Sequence, residues 1–527
     1  MPNTNCLKGG LQPYVPSAEK PWNEKRIHHL YNKLSNGAPL HLIRAAKSNS
    51  PSVIIDFLLN AATTHPLPGE KKSGGTITWD YTYPWANEKT LDADGNITYY
   101  KYLVLVQQWL NGMIREGIKH KLVLFWSNHF VTESGSYGNY PSWVFQYYYL
   151  LHKNALGNFK TFVEDIGRTP AMLHYLDGRL NIKNRPNENY ARELLELFTM
   201  GVGNYTEQDV KEIARALTGW QLRYSTTDLY PVEVGQFLFS SGNHDFGTKR
   251  VLGQSFTPQD ASQLDKGDYK LVHNIIFNQR KNEIAKFICT KLYRFYMYEF
   301  PPTEIIDGLA DIFIQSNWEI LPVLKALFKS EHFFEEENMG VNIKSNIDNF
   351  VHYFRSLDLK PNEDFFFYDF ERKTDPANNL NRDALGSIYN QCANLGQTLF
   401  NPVNVAGWQG HRAWLSEFVL VNRWRYSRDH VDYHLPYAST KEKYREFLKS
   451  LTDQSTNPNI IVPKVMEYFM TLPMPQDIVE TAVSVFKAGV PANYFEDGTW
   501  DLDYVTVPTQ FANLMKYITT LPEYQLL

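Results

Sequence analysis

The spacing of apolar residues restricts this chain most, because it recurs at three and four positions through much of the length. Residues 281–297 place Ile284, Phe287, Ile288, Leu292 and Phe295 along one helical face. The same pattern runs through 22–34, 40–47, 52–62, 102–117, 142–151, 304–315 and 321–329. There is no train of alternating strands joined by two-residue turns. Short extended pieces near 76–82 and 232–239 read as hairpins carried on loops. The spacing predicts a mainly α fold: a large multi-helical globular protein with long irregular loops and a few short hairpins.

A helical chain of 527 residues is too long for one small core, and roughly 150 residues per domain would give about three or four. We expect an irregular N-terminal tail over 1–21 and a single multi-helical unit over 22–527. If that unit has two lobes, the break falls near 335–345. Stretches 66–99, 221–260 and 359–382 read as long surface excursions, whose length favours function and decoration about equally.

Composition excludes several classes of function. With 52 Lys and Arg against 57 Asp and Glu, the net charge of -5 offers no broad attraction to nucleic acid. The longest apolar runs, at 102–106 and 143–149, stop far short of the roughly 18 residues a membrane helix needs. The opening residues lack the basic start and apolar stretch of a secretory signal, so either a cytoplasmic chain or one whose leader has been removed is expected. Cys6, Cys289 and Cys392 are too few and too scattered for a disulfide framework or a Cys-x-x-Cys metal site; free thiols are expected. An aromatic fraction of 15% suits large cores, and also clefts that stack rings.

The richest chemistry lies in 187–201, Asn187-Glu188-Asn189-Tyr190-Ala191-Arg192-Glu193-Leu194-Leu195-Glu196-Leu197-Phe198-Thr199-Met200-Gly201. Wound as an α-helix, it puts Tyr190, Ala191, Leu194, Leu195, Leu197 and Phe198 on an apolar arc. Glu188, Arg192 and Glu196 form an i, i+4, i+8 ladder on the other side. Asn187 is the expected N-cap and Gly201 the expected stop. Thr206-Glu207-Gln208-Asp209 then opens a second helix with a capping-box pattern; it carries Glu212 and Arg215 and ends at Trp220. Facing each other, the two helices would make either a buried ion network or a site for anions and hydroxyls.

Three further segments carry candidates. In 241–250, Gly242 and Gly247 flank His244 and Asp245, with Lys249 close by; the pair reads as an acid–base group or as a simple turn. His129 stands among Phe125, Trp126 and Phe130, surroundings typical of a core histidine. In 401–414, Trp408, His411 and Trp414 read either as a rim that stacks a ring or as plugs between helices.

Taken in order, Pro170-Ala171-Met172-Leu173, Tyr175-Leu176-Asp177-Gly178, NENYARELLELFTMG, YTEQDV, ALTGW, NHDFGTKRVLG and NVAGWQGHRAW resemble the DUF1800 family. The resemblance implies a large, mainly helical bacterial protein without an assigned activity. Relatives are often exported, and their genes often neighbour those of DUF1501 proteins, which implies a DUF1501-like partner. This chain departs in lacking a signal and in its altered turn Lys33-Leu34-Ser35-Asn36-Gly37.

Two functions are expected to compete. One is a hydrolase or transferase for a polar, glycan-like substrate, using Glu188, Arg192, Glu196, Arg215, His244 and Asp245 as the catalytic set. His129, Trp220, Lys249, Trp408, His411 and Trp414 would then bind substrate. A divalent metal on His129 and carboxylates is an option that no H-E-x-x-H spacing supports. The other function is a non-catalytic binding or assembly protein with an aromatic groove formed by Trp408 and Trp414. An HD-type phosphohydrolase fits poorly, since His244-Asp245 sits in a Gly-bounded loop.

Overall fold

The computed structural model describes residues 9–68, 70–73, 76–79, 96–137, 141–222, 237–258, 267–359 and 384–527. Helix α1 (Glu24–Ser35) is followed by α2 (Leu40–Lys47), α3 (Pro51–Thr63), α4 (Asn96–Arg115), α5 (Ile118–His129) and α6 (Pro141–Asn154). Then come α7 (Phe159–Gly167), α8 (Pro170–Tyr175), α9 (Asn189–Glu193), α10 (Glu207–Ala216), α11 (Asp268–Gln279) and α12 (Lys281–Tyr296). Next are α13 (Thr303–Gln315), α14 (Ile320–Lys329), α15 (Asn346–Ser356), α16 (Ala384–Asn394) and α17 (Glu417–His434). The described chain closes with α18 (Ala438–Leu451), α19 (Pro458–Phe469), α20 (Gln476–Lys487) and α21 (Val507–Ile518). The fold is mainly α, as the apolar spacing predicts.

Among the described residues, strands are confined to three antiparallel pairs: β1 (Glu70–Ser73) with β2 (Thr76–Trp79), β3 (Trp220–Leu222) with β4 (Phe237–Phe239), and β5 (Lys249–Val251) with β6 (Gln254–Phe256). Of the expected extended pieces, 76–79 and 237–239 fall on these pairs. Outside the described residues lie 80–82 and 232–236 of those pieces, 69, 74–75, 80–95, 223–236, 259–260 and 360–382 of the expected excursions, and Cys6. Cys289 and Cys392 are free and buried. No helix among the described residues is long and apolar enough to cross a membrane.

Local chemistry sets the helix ends. Asn23 accepts from the Arg26 amide to start α1, and Asn36, with φ 59, ends it. Ser345 and Asp348 form a reciprocal capping box at the start of α15. Among the helices that the periodic reading passed over are α5 and α15. Both are buried on nearly every side, so neither has the polar stripe on which such a reading depends. The apolar core runs without a break from Tyr14 to Tyr524. Around 335–345 the chain pairs with its last residues, Asn342 with Leu527 and Lys344 with Gln525. The described part of the N-terminal stretch is likewise tied down, through the Tyr14 amide on Lys329 O and the Glu331 amide on Gln12 O.

A cluster of charges lies inside this core. Lys33 of α1, Lys121 of α5, Lys344 and Arg423 of α17 are all buried, and Asp348 of α15 is the acid among them. Lys121 Nζ lies 3.8 Å from Asp348 Oδ1. The other cations use carbonyls: Lys33 Nζ donates to Met297 O, Lys344 Nζ to Tyr524 O, and Arg423 Nη1 to Lys344 O. Burial drives the Lys33 and Lys344 ammonium groups well below their usual range.

Candidate functional site

The 187–201 segment is not one α-helix. After the five residues of α9 the chain widens into a π-helix over Leu194–Thr199, where Thr199 Oγ1 donates back to Leu194 O. The side chain of Asn187 does not cap as expected; its Oδ1 accepts from the Asn189 amide, and Glu188 is the first flanking residue. Gly201, with φ 79, does end the segment. The wide turn breaks the predicted ladder. Arg192 still meets Glu188 at 3.3 Å, but Glu196 is rotated away and accepts from Tyr205 Oη at 2.8 Å.

The second helix starts as expected, with the Thr206–Asp209 capping box present. Arg192 reaches across to Glu207 through two bonds of 2.7 Å, at the half-exposed surface. Arg215 sits eight residues further along α10, about 12 Å away at helical rise. It meets Glu212 at 2.9 Å and Asp245 at 2.9 Å. Two separate braces thus stand at opposite ends of α10.

The acidic side of α10 holds the 241–253 loop. Glu212 accepts from the Arg250 amide, and Asp209 from the Leu252 amide. Burial acts to raise the Asp245 carboxyl, but Arg215 and the Gly247 amide outweigh it and hold it below its usual range. His244 is buried, with Nδ1 2.8 Å from Thr218 O and Nε2 3.4 Å from Asp268 Oδ2. Lys249 is fully buried and pairs with the same Asp268 oxygen at 2.7 Å. His244 and Lys249 therefore share an acid that the sequence reading did not single out.

Of the residues assigned to substrate, four are packing elements. His129 is buried, its Nε2 facing Phe198 O at 3.1 Å and its Nδ1 facing Lys291 Nζ at 3.2 Å, so neither nitrogen is available to a metal. Lys249 is committed to Asp268. Trp408 and Trp414 are only 8% exposed, so they plug the core and form no rim. The Trp408 amide and carbonyl are bound by the Asn128 side chain, and Gly407 allows that approach: a Cβ there would lie 2.3 Å from Asn128 Oδ1. His411 is half-buried at the surface, edge-on to Tyr298. Trp220 lines a cavity with Tyr190, Tyr269, Asn181 and Asn187; at about 20 Å3 it has room for little more than one water.

A larger space lies elsewhere, between α1–α2 and the segment from α18 to α20. This groove of about 1020 Å3 is lined by polar and apolar groups in nearly equal measure. Four cations, Lys25, Arg44, Lys47 and Lys464, stand with four carboxylates, Glu24, Asp453, Glu467 and Glu480. His28 stands edge-on to Tyr468 with ring centres 4.8 Å apart, and burial pushes its imidazole down to about 4, so it is neutral near pH 7. The groove was not legible in the sequence, because its walls are about four hundred residues apart along the chain. The histidine–carboxylate cluster that the described residues hold is separate again, at His65, Glu116 and His120.

A family model described as a protein of unknown function (DUF1800) matches residues 29–526. Neither the curated proteins nor the solved structures contain a match.

Proposed function

The chain belongs to the DUF1800 family, whose description assigns no reaction, and from that premise we propose that it binds an extended, uncharged polar ligand of the oligosaccharide type. The observation that carries this reading is the groove between α1–α2 and α18–α20. Its volume exceeds what a single sugar needs, and its charges balance at four of each sign. A balanced lining sets up no field for an anion or cation, yet offers donors and acceptors along its length. Neutral His28 adds one of each.

The test is a glycan array followed by titration of the full chain with the best binder. Lys464→Ala and Glu467→Ala should each weaken binding by about tenfold or more, the worth of one good hydrogen bond to a charged group. Glu467 is exposed, so its loss should leave the fold intact. Affinity unchanged in both variants would remove the groove from the reading.

A hydrolase or transferase at Glu188, Arg192, Glu196, Arg215, His244 and Asp245 is the competing reading, and the buried His244–Asp268 pair favours it. It requires substrate to displace the Arg192–Glu207 and Arg215–Asp245 pairs. Turnover of any glycan that His244→Ala abolishes would support it. The DUF1501-like partner is tested by co-expression, where co-elution in size-exclusion chromatography supports the pairing and separate elution removes it.

A further inference from the structure

His65 lies just past α3, Glu116 in the turn between α4 and α5, and His120 in the first turn of α5. One ligand atom from each lies within 4.8 Å of the other two. Both imidazoles converge through Nε2 on the same oxygen, Glu116 Oε2; the His120 contact is 2.7 Å and the His65 contact is closer. We propose that these three residues form a binding site for a divalent transition-metal ion of the zinc class.

Four observations carry the inference. First, His65 Nδ1 lies 2.8 Å from the Pro66 carbonyl, which can only accept. With Nδ1 donating there, Nε2 is the ring nitrogen that faces the carboxylate and the one a metal ion would take. Second, His152 is buried against His120, ring centres 4.9 Å apart, and among the described residues neither of its nitrogens has a hydrogen-bond partner. His120 Nδ1 is also without one. An unpaired imidazole beside a three-ligand cluster can complete the shell or hold a metal-bound water.

Third, the scaffold is shaped for this imidazole. A Cβ on Gly112 would lie 2.3 Å from His120 Cε1, so only glycine on α4 admits the ring. Fourth, the turn is fixed from outside. Gly117 has φ 79, and Arg355 of α15 donates to Ile114 O and to Gly37 O, locking the end of α4 beside the end of α1. Two imidazoles and one carboxylate suit zinc and its neighbours better than calcium or magnesium, which prefer oxygen.

The site is tested on the full chain, stripped with chelator and dialysed against Zn2+. One retained equivalent is expected, together with a rise in the thermal midpoint, because the ion binds the folded state. His65→Ala and Glu116→Gln should each weaken binding beyond the roughly 10–100-fold that losing an outer partner costs. Both positions are partly exposed, so the variants should fold, which the midpoint of the metal-free proteins checks. With Co2+, the visible spectrum should report nitrogen and oxygen ligands without thiolate. Failure to retain Zn2+ would leave an ordinary His–Glu ion pair and overturn the proposal. So would retention that neither variant weakens.

Discussion

Replacing Asp348 by Asn isolates one charge in the middle of the fold. Four buried cations, Lys33, Lys121, Lys344 and Arg423, surround this acid, which opposes the depression of Lys33, Lys121 and Lys344. Asn still offers an oxygen to the Ser345 amide, now held at 3.1 Å, so the helix cap, worth about 1 kcal/mol, largely survives. What is lost is the countercharge. Removing one member of a buried pair costs about 3–5 kcal/mol, because the remaining charge stays buried without compensation. Asp348→Asn should lower stability by that amount in urea unfolding followed by tryptophan fluorescence, and Asp348→Ala by about 1 kcal/mol more. Lys33→Met should be neutral or stabilising, since it removes an excess cation whose burial is costly, and it should offset part of the Asp348→Asn loss. A change of less than about 1 kcal/mol in Asp348→Asn would refute the reasoning, since it would mean that the lysines fold uncharged and need no anion.

Other expectations follow from the same physics. Burial pushes His28, His273 and His434 down to about 4 and His430 to about 3. Their unfolded value is about 6.5, so between there and pH 4 the unfolded chain binds protons that the folded chain refuses. This contribution is fully present above pH 6.5 and is lost as pH falls through the window; urea midpoints independent of pH there would contradict it. Arg192→Ala should cost no more than about 1 kcal/mol, because its partners Glu188 and Glu207 are themselves at the surface. A loss above about 2 kcal/mol would show a brace far stronger than its exposure permits.

While α17 to α21 were passed over, several amphipathic helices were legible in the sequence to within a residue or two, as at Lys281–Tyr296 and Thr303–Gln315. Their apolar stripes face one core, and the pattern records that. Helices α5 and α15 were not legible for the converse reason, being wrapped on all sides. The capping box of Thr206 and the stop at Gly201 depend on local hydrogen bonding and were read correctly. The ladder of Glu188, Arg192 and Glu196 was misread at its last rung, because spacing assumes 3.6 residues per turn and the π-helix breaks that assumption. His244 and Lys249 were picked out without Asp268, the acid that binds them, since nothing in the local sequence marks a partner on another helix. The same holds for His65, which joins Glu116 and His120 only once α3 packs on α5.

The wide turn at Leu194–Thr199 also changes how kindred sequences should be aligned. An ordinary coil closes on the fourth residue back, whereas here the Met200 amide closes on the fifth, at Leu195 O. Deleting one residue in that stretch would narrow the wide turn to an ordinary coil, since such a turn takes up one extra residue and leaves its flanks in phase. Arg192 would then keep Glu207. A one-letter gap at this point in a homologue therefore marks a local narrowing of the coil, and the same salt link should be sought in the same register.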